Sequence, residues 1–334
     1  MGLVKISREW MLPAAIAAGI SSYLIYHALP APFHAVGPVL SDIAAILQPL
    51  LIFSMLFLTF GKIEPRELKP HRWHLWLLLI QGGSFMLLAV AAWAVIHLFP
   101  ERNHDALVLV ESAMLCFICP TATAAAVVTR RLGGDVPGIT TYIVLINILA
   151  AVLVPVMVPL VCPVEGMVFR TAFTMILARV FPLLITPCLC AWLVRYLLPK
   201  VHRKLQRYPD LPFHLWIVAL TLAMALTTKS VVRSDMPLWL MLLIAAVSLL
   251  CCVFQFAAGR YVGGRYKTDK ESEHIRKVTA GQSLGQKNTV FAIWMGYTFM
   301  TPETAIVGGF YSIWHNLYNS WQLHRTETGK KKLS

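Results

Sequence analysis

The chain has 334 residues, of which 57% are hydrophobic and only 13% charged, and its mean hydropathy is +0.66. That is too apolar for a water-soluble domain of this length, so a polytopic membrane protein is expected. The net charge of +13 does not call for a nucleic-acid partner, because the placement of the cations along the chain, with attraction to the lipid bilayer, accounts for it.

In chain order, apolar runs of the roughly 17–25 residues needed to cross about 30 Å of hydrocarbon recur near 11–30, 36–60, 74–98, 105–130, 136–161, 168–197, 212–230, 236–259, 275–298 and 302–324. The first run follows Lys5 and Arg8 and precedes an ALPA stretch that loosely resembles a leader cleavage site. Its length and the charge phase make it a span instead. Of the 29 Lys and Arg residues, 23 lie at the N-terminus, in the even-numbered connections and in the tail. The odd-numbered connections hold only Arg102, Arg170, Lys229 and Arg233. This alternation predicts cytoplasmic termini and an even number of crossings. The expected location is a bacterial inner (plasma) membrane.

Two cations remain inside apolar spans, Arg179 and Lys287. Arg179 lies nearer a span end, where it can snorkel. Lys287 lies about ten residues from either end of its span, and a lysine at the bilayer centre costs about 2.5–3.5 kcal/mol even on the insertion scale. Its presence points to function. Cys116, Cys119, Cys188, Cys190, Cys251 and Cys252 all fall in spans and read as small apolar residues; Cys116-x-x-Cys119 matches a metal motif by spacing alone, so neither metal nor cofactor is expected.

Ten spans divide into two oppositely oriented fives, the parity that an inverted repeat requires: repeat 1 at about 1–163, repeat 2 at about 164–325, and a basic tail at 326–334. The fourth and ninth spans carry matching irregularities. The fourth contains CPTATAAAVVT, with Pro120 followed by Thr121 and Thr123; the ninth contains Gly281, Gly285 and the polar set Gln282, Ser283, Gln286, Lys287, Asn288 and Thr289. Interrupted helices at membrane depth are tolerated only in protein or around a cavity, so both point to a binding site between the halves. For the fourth span alone, a packing face of small residues is an equally physical reading.

On these residues the chain resembles the bile acid:sodium symporter family. The similar stretches are CPTATAAAVVTRRLGGD (119–135), GQKN (285–288) and FYSIWHNLYNS (310–320). The resemblance implies an all-α membrane fold of ten transmembrane helices, two inverted five-helix repeats with broken crossing helices 4 and 9, and core and panel domains. It also implies sodium ligands that are largely missing here. A Ser-Asn pair reads Ala125 and Ala126, a Glu reads Ser283, a Gln reads Lys287, hydroxyl positions read Ile139 and Ile143, and a third-helix Gln falls at Ser84 with Gln81 one turn away.

The expected function is therefore secondary transport of a small organic anion by alternating access, with Lys287 as a tethered cation on helix-end carbonyls in place of sodium, and a proton rather than sodium as coupling ion. His315 and Asn316 either line this site or brace the tenth helix. The rivals are a sodium-coupled organic anion symporter and, from another class, a non-transporting sensor or a channel. An enzyme is disfavoured by the absence of paired carboxylates, His/Glu metal spacing or an activated nucleophile.

Overall fold

In the computed structural model, residues 2–98, 104–162, 167–208, 210–234, 236–266 and 270–333 are described. Arg102, Lys267 and the expected repeat boundary at 163–164 lie outside them, as do the side chains of Lys5, Arg8 and the tail lysines. The described chain is helical, with one isolated β-bridge: α1 Gly2–Ala28, α2 Ala31–His34, α3 Gly37–Gly61, α4 Arg72–Leu98, α5 His104–Ile118, α6 Ala124–Arg131, α7 Val136–Val161, α8 Phe169–Leu197, α9 Pro199–Gln206, α10 Leu211–Arg233, α11 Leu238–Arg265, α12 Lys270–Gly285, α13 Thr289–Phe299 and α14 Pro302–Leu333. Two expected spans, 105–130 and 275–298, are each divided in two, and α14 continues through the expected tail. Among the described residues, six helical stretches are long and apolar enough to cross a membrane by length and composition.

Polarity is inverted relative to a protein folded in water. Ile46, Leu87 and Leu250 are 72%, 71% and 68% exposed, whereas Gln81, Gln255 and Lys287 are buried. Lipid as solvent selects this arrangement, because apolar side chains gain nothing by leaving it while polar groups must find partners inside.

Helices α1, α3, α8 and α10 pack among themselves, and α4, α5, α7, α11, α12, α13 and α14 form a second group; the groups meet chiefly where α8 packs along α7, and also where α10 meets α13 and α14 and α3 meets α13. The tightest approach is α11 on α12. A Cβ at Gly259 would lie 2.9 Å from the Ala280 carbonyl carbon, and one at Gly263 would lie 2.7 Å from that of Arg276, so this glycine pair, four residues apart, lets two backbones touch.

Contacts between connections sort the helix ends onto two faces. At one face, Arg195 donates to the Ile63 carbonyl at 3.1 Å and pairs with Glu64 at 3.6 Å, while Gln206 donates to the Gly61 carbonyl at 3.0 Å. Lys62 lies there too; burial lowers its pKa, Asp210 raises it and Arg130 lowers it further. Asp135 N–H donates to Thr279 Oγ1 at 2.8 Å, which places the α6–α7 turn beside α12. At the other face, Lys229 donates to Ser41 at 2.8 Å, Ser230 bonds Tyr297, and Glu111 accepts from Cys162 and Thr304. Described residues near 61–64, 130–135, 195–210 and 279 thus lie at one face, and those near 41, 111, 162, 230 and 297–304 at the other.

Candidate functional site

Helix α5 ends at Ile118, and because Pro120 has no N–H the Cys116 carbonyl four residues earlier loses its intrahelical donor. Gln255 of α11 supplies one, its Nε2 reaching that oxygen at 3.3 Å. The second break contains no proline. Helix α12 closes with Gln286 N–H on the Gln282 carbonyl at 3.1 Å, and Asn288 caps α13, its Oδ1 accepting from Phe291 N–H at 3.2 Å. Gly285 sits where the chain leaves α12 because the Phe256 ring lies where a Cβ would project.

The two breaks cross. Thr121 and Lys287 face each other as an antiparallel bridge, flanked by Ala122 N–H to the Gln286 carbonyl at 3.0 Å and Asn288 N–H to the Pro120 carbonyl at 2.8 Å. Two unwound segments therefore satisfy each other where no solvent or helix would. Thr121 Oγ1 donates to the Ser283 carbonyl at 2.5 Å. Four helix termini converge here, the C-terminal ends of α5 and α12 and the N-terminal ends of α6 and α13, so partial charges of both signs surround one point.

Two Gln/Tyr pairs brace the crossing. In one, Gln81 of α4 donates to the Cys119 carbonyl at 2.9 Å while Tyr142 of α7 donates to Gln81 Oε1 at 2.8 Å. In the other, Tyr311 of α14 donates to the Gly285 carbonyl at 2.8 Å and accepts from Gln255 at 3.1 Å. Cys119 and Gly285 each precede their bridge residue, Thr121 and Lys287, by two positions. From outside this group, Gln48 of α3 donates to the Val290 carbonyl at 3.2 Å. Of these braces, Gln48, Tyr142 and Gln255 lie outside the quoted motifs, and Tyr311, inside the 310–320 stretch, was not among the expected site residues. Their signal was local: a lone amide or phenol in an otherwise apolar helix must find a partner.

Lys287 is 1% exposed, and among the described residues its Nζ makes no hydrogen bond. Its electrostatic neighbours are the thiols of Cys119, Cys116, Cys251 and Cys252. This differs from the expectation of an ammonium seated on helix-end carbonyls: the carbonyls of Cys116, Cys119, Pro120, Ser283, Gly285 and Gln286 already accept from other donors. The cation instead lies unpaired in a thiol-lined interior. The described residues contain no group of three His, Cys, Asp or Glu placed to share a metal ion.

The other expected site residues fall into two sets. Pro120, Thr121, Ser283, Gln286, Lys287, Asn288 and Thr289 are buried in or beside the crossing, with the Ser283 hydroxyl and both Gln286 amide atoms unbonded. Gln81 reaches it from α4, whereas Ser84, half-buried on the same helix, is not among the groups bonded to the breaks. Thr123, half-buried, precedes α6 without a capping bond. Gln282 turns to α14, donating to Asn319 at 2.9 Å and Gln322 at 2.8 Å. Asn316 donates back to the Ser312 carbonyl at 2.8 Å, and His315 packs edge-on against Tyr311 with both ring nitrogens unbonded among the described residues. Arg179 is exposed on α8. Ala125, Ile139 and Ile143 are fully buried in the apolar core, so these three of the positions where sodium ligands were sought present hydrocarbon.

Comparison with curated proteins gives no match. A family model does match, over residues 18–324, and its description, SBF-like CPA transporter family, agrees with the resemblance to bile acid:sodium symporters. With most of the length matched and several helices apolar enough to span, this is an integral membrane protein, and the chain belongs to the SBF-like CPA transporter family.

Proposed function

We propose that the protein is a secondary active transporter of a small organic anion that works by alternating access without the usual two sodium ions. The observation that carries this reading is the crossing itself, two helices broken opposite one another around a buried, unpaired lysine. An unpaired cation at membrane depth is costly unless an anion or a proton transfer uses it. The absence of oxygen ligands at Ala125, Ala126, Ile139 and Ile143 favours independence from sodium, since a hard cation needs several oxygens.

Joining each pair of broken segments gives ten spans, α1, α3, α4, α5/α6 and α7 followed by α8, α10, α11, α12/α13 and α14. The sorting of connections onto two faces supports that count, with the basic face and both termini cytoplasmic. The two Gln/Tyr braces support the inverted repeat, because α4 and α11 are the third members of each five and α7 and α14 the fifth. The group of α1, α3, α8 and α10 is the panel, and the remainder is the core that moves against it.

The test is a thermal-shift screen of purified protein against organic anions, with and without sodium and across pH, followed by uptake of any hit into proteoliposomes. A ligand of the native state raises stability by mass action. A hit that stabilises the wild type, not Lys287→Ala, and is accumulated by the liposomes supports the proposal. Conduction down a gradient that never accumulates would replace it with a channel.

A further inference from the structure

Glu111 lies on α5 nine residues before Pro120, roughly 13 Å along the helix at 1.5 Å per residue. Its side chain is buried, 3% exposed, in a helix that belongs to the crossing. Oε1 accepts from the Cys162 thiol at 3.2 Å and Oε2 from Thr304 Oγ1 at 2.9 Å. Thr304 Oγ1 in turn lies 2.9 Å from Thr301 Oγ1. No cation among the described residues pairs with the carboxyl. Among the described residues, the titratable groups that act on it are Cys162, just beyond α7, and His104 on its own helix; α14 presents the Thr304 hydroxyl, with the half-buried Glu303 next to it in sequence, Thr301 lies just before α14, and α4, α11 and α13 present no charged group to it. With no cation beside it among the described residues, the charge of this buried carboxyl depends on whether it holds a proton or a bound cation.

The chemistry of the neighbours selects a proton. The oxygens around Glu111 are too few for a hard metal cation, and a soft, proton-bearing sulfur occupies one side. The hydroxyl chain serves either protonation state without moving an atom heavier than hydrogen. With the carboxylate, Thr301 donates to Thr304, which donates to Glu111. With the acid, the Glu111 O–H donates to Thr304 Oγ1, whose own O–H turns to Thr301 Oγ1, an acceptor that already receives Thr304 N–H at 3.2 Å. One proton is taken from water on loading and returned to it on release, with no other bond made or broken.

We propose that Glu111, Thr304 and Cys162 form a proton-binding site outside the crossing, which joins α5, α14 and the end of α7 and supplies the coupling proton of the cycle. Its place in a cycle rests on the transport reading; the site itself does not. Helix α5 links it to the thiols that face Lys287, and Thr304 opens α14, which braces the crossing through Tyr311.

The experiment is infrared difference spectroscopy of the purified full chain in liposomes, titrated with pH in the absence of any substrate. The wild type shows the carbonyl stretch of a protonated carboxylic acid appearing as pH falls. E111Q removes that band, T304V keeps it but shifts its frequency, and K287Q leaves it in place. Sodium and potassium buffers give the same titration. A band that survives E111Q, the lack of any titrating band in the wild type, or a frequency unaltered by T304V would overturn the site; a midpoint that moves with sodium would make it a cation site instead. If the band behaves as stated while no organic anion is bound or accumulated, the transport reading fails and the proton site stands.

Discussion

The hydroxyl of Thr121 reaches across the crossing to the carbonyl of Ser283 at 2.5 Å, so one broken helix supplies the donor that the other has lost. Both residues are buried. This is the side-chain counterpart of the backbone pairing between Thr121 and Lys287, and it makes each break depend on the other.

Replacing Thr121 with Val keeps the shape but leaves the Ser283 carbonyl without a partner, at a cost of about 1–3 kcal/mol for a buried unsatisfied group. Thr121→Ser keeps the donor and costs less. The expected result is a clear fall in the thermal midpoint of the detergent-solubilised protein for Val and a small one for Ser. Equal midpoints for the two variants would show that the hydroxyl contributes nothing.

Glycine substitutions should divide by what faces them. Gly259→Ala pushes a methyl group into the Ala280 carbonyl on α12 and, as overpacking of a tight interface, should destabilise by about 1–3 kcal/mol. Gly83, in the interior of α4, has nothing within 4 Å of its absent Cβ. There the helix propensity of alanine acts alone, and Gly83→Ala should stabilise by up to about 1 kcal/mol. Thermal midpoints measured side by side check both signs.

How much of this was legible beforehand follows from what sequence encodes locally. Helix ends near 98, 161 and 197 follow from the lengths of apolar runs, and the break at Pro120 from a missing N–H. The break at 286–288 was visible as a polar run. What could not be read was pairing. Nothing local says that Gln255 serves the carbonyl freed by Pro120, that Gly285 faces Phe256, or that the carbonyls around Lys287 bond to other donors. Those are relationships between residues far apart in the chain, fixed only when α11 and α14 dock on the breaks. Asn316 and His315 illustrate the converse: they belong to the most distinctive motif, yet the contact each makes here, to Ser312 and to Tyr311, stays within α14.

Uptake and ligand binding should be indifferent to exchange of sodium for potassium or choline at constant ionic strength. The reason is chemical: Ala125, Ile139 and Ile143 are buried hydrocarbon, and Gln81 already spends its amide on the Cys119 carbonyl and Tyr142. Paired titrations in the two salts check it. A tenfold gain in affinity with sodium, about 1.4 kcal/mol of coupling, would contradict it.

The last prediction separates the two consequences of burying Lys287. Because Nζ has no partner among the described residues, removing the charge while keeping the length, as in Lys287→Met, relieves a desolvation cost and should raise the thermal midpoint rather than lower it. The same change should reduce transport at least tenfold, since the cation available to an anion or a proton is gone. Lys287→Gln places at this position the residue that sodium-coupled relatives of the resemblance carry, yet it should not restore sodium dependence, because Ala125, Ala126 and Ser283 remain. Lys287→Arg keeps a charge that is not readily lost. If the lysine exchanges a proton during the cycle, the arginine variant binds ligand but fails to turn over, and its residual activity lacks the pH dependence of the wild type. If a fixed charge suffices, it transports normally at every pH at which the protein is folded. Uptake into proteoliposomes as a function of pH, with thermal midpoints for the same four proteins, distinguishes these outcomes. Near-normal transport by Lys287→Met would mean that the buried ammonium serves the fold alone, and a fall in its midpoint would mean that Nζ holds the crossing together through contacts that only the moving protein makes.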